Sequence, residues 1–290
     1  MNTVWQWRAK LLGSILFILF ILVSSFAHAS PIKSGQILFG EIEPESYEEL
    51  WTFEGMMGDR ILINAEKTGD ASSFDTAVCL IDPDGVQEIC TASGGDWLDH
   101  ILNKTGMYTI KVFDRYLAYT GTYAITYINL MSGPCDPSLE EEDCRPIVSG
   151  QVLNGSIAVT SDLDFFHFEG KVGDRILINA EKTGESSPFV SAAWLFDPDG
   201  QDVIYSPNGY IDHVLEKEGD YIIIVLDNNF FHTGTYALVY INLTSGPCDL
   251  SLEEEDCRPI VSGQILNGSI AVTSDLDFFH FEGKAGDRIL

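Results

Sequence analysis

The sequence predicts an all-β protein: tandem antiparallel β-sandwich domains, jelly-roll-like, after an N-terminal signal peptide. Three observations carry this expectation. Whole blocks of sequence recur at domain-sized spacing. Within each block, short runs alternate apolar and polar residues with period two. Clusters of Gly, Pro and Asp separate the runs.

The N-terminus reads as a targeting segment. Arg8 and Lys10 precede an apolar run from Leu11 to Val23, and Ala27-His28-Ala29 follows. A basic stretch, an apolar stretch and a small-x-small site mark a secretory signal peptide cut after Ala29. The run is too short to span a bilayer, which takes about 20 apolar residues. No later run is long enough either, so no membrane contact is expected after cleavage.

Self-comparison sets the organisation. "SGQILFG" at 34–40 returns as "SGQVLNG" at 149–155 and "SGQILNG" at 262–268. "GDRILINAEKTG" at 58–69 returns at 173–184, and its first five letters close the chain. "DPDG", "TGTYA" and "SGPCD" each occur twice. The expected division is a signal peptide at 1–29, a first repeat at 30–134 and an acidic linker at 135–148. A second repeat at 149–247, a second linker at 248–261 and the start of a third repeat at 262–290 follow. That start breaks off inside an expected strand, which points to an incomplete chain.

Within a copy the pattern is β. "RILINAE" and "TYAITYINL" alternate, while "MYTIKVFD" and "YIIIVLD" are rich in β-branched and aromatic residues. Gly58-Asp59, Pro83-Asp84-Gly85, Thr105-Gly106 and Thr120-Gly121 supply the turns. About eight short strands per copy and no helix imply a sandwich of two sheets.

The order of motifs narrows this. It runs G-Q-x-L-x-G, D-x-D-x-F-x-F, G-D-R-I-x-I, L-x-D-P-D-G, G-x-Y-x-I-x-V and T-G-T-Y-x-L. The series resembles the bacterial pre-peptidase C-terminal domain, with the collagen-binding modules of clostridial collagenases as relatives. The resemblance covers both full copies and the third start. It implies a non-catalytic β-sandwich of secreted proteins that serves binding, targeting or secretion. It also implies a candidate calcium site. In the collagen-binding relatives, linker acids join acids at the start of a strand. Here the matching layout is Glu141 and Asp143 with Asp162 and Asp164, and Asp275 and Asp277 in the third copy. Calcium takes six to eight oxygen ligands. The first copy carries Tyr47 and Glu49 in place of Asp162 and Asp164, so any calcium belongs to the later copies. The alternative is a solvated acidic loop.

Six cysteines behind a signal peptide predict disulfides. Cys79 and Cys90 flank the Asp82–Gly85 turn, and Trp194 and Tyr205 replace both together in the second copy, as a facing pair would. Cys135–Cys144 and Cys248–Cys257 each enclose a short acidic linker. Closing such a loop removes roughly 2.5–3 kcal/mol of chain entropy from the unfolded state.

The net charge is −28. Such a surface repels nucleic acid and anionic lipid. His167 and His280 alternate with phenylalanines, and the first copy has Thr52 there, which argues against a catalytic or metal role. G-x-S-x-G, H-E-x-x-H and a lone cysteine are all absent, so no catalysis is expected within these residues. Asn103, Asn154, Asn242 and Asn267 sit in glycosylation sequons, which matter only in a host that glycosylates. The expected function is a secreted binding or targeting module for an extracellular protein or glycan. The alternatives are a structural spacer or secretion aid, or an accessory region of a secreted peptidase whose catalytic domain lies elsewhere.

Overall fold

The computed structural model describes residues 29–44, 47–69, 73–91, 97–131, 144–184, 188–244, 257–269 and 278–289. Residues 1–28 of the expected signal peptide, Cys135, Cys248, Glu141, Asp143, Asp275 and Asp277 lie outside these. Among the described residues there are strands and no helix.

The first sandwich contains β1 (Ser30–Pro31), β2 (Gln36–Ile42), β3 (Glu48–Gly55), β4 (Arg60–Lys67), β5 (Thr76–Ile81), β6 (Gln87–Cys90), β7 (Trp97–Ile101), β8 (Gly106–Asp114) and β9 (Gly121–Asn129). The second contains β10 (Cys144–Pro146), β11 (Val152–Ile157), β12 (Asp164–Gly170), β13 (Arg175–Lys182), β14 (Ser191–Phe196), β15 (Asp202–Ser206), β16 (Tyr210–Val214), β17 (Gly219–Asp227) and β18 (Gly234–Asn242). The third copy contributes β19 (Cys257–Pro259) and β20 (Phe278–His280).

Each sandwich has a five-stranded sheet, β1-β3-β8-β5-β6 or β10-β12-β17-β14-β15, facing a four-stranded one, β2-β9-β4-β7 or β11-β18-β13-β16. Without β1, the order of β2 to β9 is that of a jelly roll. One element departs from the antiparallel expectation. A short edge strand leads each five-stranded sheet in parallel, β1 beside β3 and β10 beside β12. The third copy begins the same way, with β19 parallel to β20. The chain therefore enters each domain by joining its sheet.

The alternation in sequence builds the inner cores. In the first sandwich Trp51, Phe53, Ile61, Ile63, Tyr108, Ile110, Tyr123 and Ile125 meet between the sheets. In the second, Phe166, Phe168, Ile176, Ile178, Tyr221, Ile223, Tyr236 and Leu238 do so. Two motifs turn out to be halves of one contact. A Cβ on Gly40 would lie 2.4 Å from the Tyr123 ring, and one on Gly155 would lie 2.3 Å from that of Tyr236. The last glycine of G-Q-x-L-x-G thus leaves room for the tyrosine of T-G-T-Y-A.

Cys79 and Cys90 are direct partners across the β5–β6 hairpin and form a disulfide, as the paired replacement predicts. In the second sandwich Trp194 and Tyr205 are direct partners at the same place. The proposed partners of Cys144 and Cys257 lie outside the described residues.

Gly155→Val should overpack against Tyr236 and cost about 1–3 kcal/mol. Thermal unfolding checks this, and an unchanged melting temperature would show that the tyrosine is not held against the glycine.

Candidate functional site: the joint between repeats

A third core lies outside both sandwiches. Leu62, Ile128 and Leu130 of the first repeat cluster with Leu163, Phe165, Ala192, Phe196, Ile222, Ile224 and Leu226 of the second. Leu62 and Ile128 are outward residues of β4 and β9, the alternates of the core residues Ile61, Ile63, Tyr127 and Ile125. Phe165, Ile222 and Ile224 are likewise outward residues of β12 and β17. The four-stranded sheet of the first repeat therefore packs face to face on the five-stranded sheet of the second. Four sheets stack in one pile, with three apolar layers between them.

Two identical strands show the effect of this packing. β4 and β13 both read RILINAEK. On β4, Leu62 and Asn64 are buried; on β13, Leu177 and Asn179 are half-buried. The side chain of Arg60 is 12% exposed, against 56% for Arg175. Sequence does not separate the two strands, but the neighbour covering β4 does.

Polar contacts fix the register of the joint. Thr126 Oγ1 donates to the Ser161 carbonyl at 2.8 Å, and Thr160 Oγ1 to the Lys67 carbonyl at 3.3 Å. Arg60 pairs with Asp99 in its own repeat, donates to the Gly200 carbonyl at 2.9 Å and reaches Asp202 at 3.1 Å. Its guanidinium also lies 5.6 Å from the centre of the Phe196 ring. The hydrogen bond to Asp99, more than that to Asp202, raises the arginine pKa against the opposing effect of burial. At the rim Trp97 stacks on Trp194 at 5.8 Å and meets Phe230 at 5.9 Å.

The acids singled out from sequence sit beside this joint. Asp162 Oδ2 accepts from the Ala158 amide at 2.6 Å and closes the turn before β12. Asp164 accepts from the Tyr236 hydroxyl inside the domain. In the first repeat Glu49 takes over that bond from Tyr123 at 2.8 Å, and Trp51 donates to the same hydroxyl at 2.7 Å. Asp162 and Asp164 are 3% and 1% exposed. Both carboxylates are already engaged by protein donors. Among the described residues no three His, Cys, Asp or Glu side chains gather as a metal would need. Glu141 and Asp143, the linker acids expected to join this pair around calcium, lie outside the described residues.

The histidines and the D-P-D-G turn have ordinary partners. His167 Nδ1 lies 3.2 Å from Asp220, whose hydrogen bond raises the imidazole pKa against partial burial. His100 reaches Glu88 at 2.8 Å. Asn242, one of the sequon asparagines, is buried and donates to Asp174 at 2.7 Å. In the turn, Asp82 Oδ1 accepts from the amides of Asp84 and Val86 at 2.9 and 2.8 Å. Lys104 bridges Asp82 and Asp84, and Lys217 bridges Asp197 and Asp199 in the second repeat. A lysine fills the place that a loop cation would take.

An open cleft of about 740 Å³ lies on the first repeat, lined by Phe39, Glu41, Glu43, Glu48, Glu49 and Tyr123. In the second repeat Asn154, Ser156, Ala158, Leu163, Asp164 and Tyr236 hold the matching positions.

The joint was not foreseen from sequence, yet it leaves a trace there. "MYTIKVFD" alternates, whereas its counterpart "YIIIVLD" is apolar without a break. A continuous run is the pattern of a strand buried on both faces.

No family model matches the chain, and no curated protein matches it. Among solved structures it is similar to the pre-peptidase C-terminal domain of a Bacillus anthracis collagenase. That match has 16% identity, covers 34% of this chain and 94% of that one, and has a TM-score of 0.29. It is similar in the same way to PliG of Aeromonas hydrophila, a periplasmic inhibitor of g-type lysozyme, at 16% identity, 34% and 95% coverage and a TM-score of 0.27. The CUB1-EGF-CUB2 segment of human MASP-1/3 matches at 9% identity over 70% of this chain and 99% of that one, with a TM-score of 0.20. Likenesses of this size carry no functional weight.

Two outcomes test the geometry. Phe165 is fully buried in the joint, where such a side chain is worth roughly 1.5–3 kcal/mol. Phe165→Asp should split a coupled calorimetric melt of the full chain into separate transitions, and one unshifted transition would contradict the packing. The lysine bond depresses the Asp82 pKa. Its contribution is present above the unfolded value of about 3.9 and is lost as pH falls through the depressed one. Lys104→Met should therefore flatten the fall in urea stability between about pH 5 and pH 3. Parallel pH curves would show that the bond does not hold the turn.

Proposed function

We propose that this chain is a secreted, non-catalytic repeat protein whose main role is structural: a stiff spacer that holds attached parts at a fixed distance and orientation. The observation that carries this reading is the apolar joint. A flexible tether needs no third core and no arginine reaching across to the next repeat. Burying whole sheet faces, with Thr126 and Arg60 fixing the register, suits domains that must not swing. The Cys79–Cys90 disulfide and the basic-apolar N-terminus support an extracellular location. The charge of −28 speaks against nucleic acid as a partner.

The second reading is a binding module, and the cleft on the first repeat favours it. Four glutamates beside exposed Phe39 and the Tyr123 edge suit a cationic, partly apolar segment of an extracellular protein better than a neutral glycan.

Small-angle scattering of the secreted chain separates the two readings. A spacer should give one narrow shape, insensitive to salt, that broadens in Phe165→Asp. Scattering that requires a wide ensemble of domain orientations in the parent would overturn the spacer reading. Retention on immobilised collagen, lost in Glu43→Lys with Glu48→Lys, would then favour binding.

A further inference from the structure

The second repeat offers the same kind of face that the first uses. We propose that the outward face of its four-stranded sheet, formed by β13 and β18, is the docking site for the third copy, seated as the second copy is seated on β4 and β9. The inference rests on the stacking reading and extends it from one joint to a propagating rule.

Three observations support it. First, the receiving residues are repeated. Leu62 and Ile128 of the first face become Leu177 and Ile241, and Arg60 with Asp99 becomes Arg175 with Asp212 at 2.9 Å. Second, the incoming residues at the start of β12 are repeated. Ser161, Leu163 and Phe165 become Ser274, Leu276 and Phe278 within a stretch copied letter for letter. The entry to the third copy is also built alike. Arg258 donates to the Asn267 carbonyl as Arg145 does to Asn154, and Arg258 sits over Phe279 as Arg145 does over Phe166.

Third, the face is apolar and only partly buried. The outward β18 residues Ala237, Val239 and Ile241 are 0%, 0% and 1% exposed, matching the 0% of Ala124, Thr126 and Ile128 beneath the second repeat. On the first repeat's five-stranded sheet the outward residues Thr109, Lys111 and Phe113 of β8 are half-buried, while the small outward residues Ala77 and Cys79 of β5 are buried. Beside β18, Leu177 and Asn179 on β13 are also only half-buried. Leu177 and Asn179 thus leave the β13 half of the face to be covered. The third copy is the segment that carries the matching residues. One contact cannot be reproduced, because Val239 replaces Thr126 and its hydroxyl donor is lost.

Hydrogen exchange on the full chain tests the inference. In the parent, residues 278–286 should exchange at least about tenfold more slowly than an unstructured peptide. Phe278→Ala and Ile241→Ala should each speed that exchange, and the double variant should add little, since facing residues share one interaction. Protection across β17 shows whether the second repeat is still folded. If Ile241→Ala unfolds it, Leu177→Lys probes the same face from its open half. Free-chain exchange of residues 278–286 in the parent, or effects that simply add, would overturn the docking. Either result would leave the first joint, and the spacer reading tested through Phe165, untouched.

Discussion

Burial of one sheet face against another, outside either domain's own core, is the constraint on which the rest of the structure depends. A sandwich satisfies the inner face of each sheet and leaves two outer faces to water. Here one of those outer faces is apolar in each partner, and the two close on each other around Phe165, Ile224, Leu62 and Ile128. This joint places the turn at Ser161 to Asp164, explains why Arg60 is shielded, and gives Trp194 a partner in Trp97.

Differences between the copies follow from position in the pile. The outward faces of the two five-stranded sheets differ in polarity. The outward β8 positions of the first repeat hold Thr109, Lys111 and Phe113, where the second repeat holds Ile222, Ile224 and Leu226. The Cys79–Cys90 bridge lies on that same outer face, where the second repeat presents Trp194 to its neighbour. The first repeat thus has the more polar outer surface on this sheet, and a polar outer face limits further stacking. The second has apolar residues on the outer faces of both its sheets, Ile222, Ile224 and Leu226 on one and Leu177, Val239 and Ile241 on the other.

Much of the fold was legible in the sequence. The repeats, the strands, the turns and the Cys79–Cys90 pair each rest on local patterns. The parallel entry strands were not legible, because two or three residues such as Cys144 to Pro146 carry no periodicity. The joint was only half legible. The unbroken apolar run Tyr221 to Leu226 signals a strand buried on both sides. The receiving strand β4 gives no such signal, because its sequence equals that of β13, whose outward residues are half-buried. Asp162 and Asp164 were ambiguous for a related reason. A carboxylate that closes a turn, one that accepts from a core tyrosine and one that binds a cation are the same letter until the donors around it are known.

The identity of β4 and β13 also bears on how the chain reaches this structure. β9 is separated from β13 by about as many residues as from β4, and loop-closure entropy changes by only about 0.6 kcal/mol per doubling of loop length. Loop length alone gives little preference between the two as partner of β9, although the short turns at 56–59 and 171–174 tie β4 to β3 and β13 to β12. Synthesis provides one. The ribosome delivers β4 and β9 before β13 exists, and N-terminal domains fold first as the chain emerges at about 5–20 residues per second. The native pairing is protected by chronology as well as by these turns. A full-length chain refolded from denaturant keeps the turns but loses the chronology, so duplication gives the direction of synthesis a part in reaching the fold.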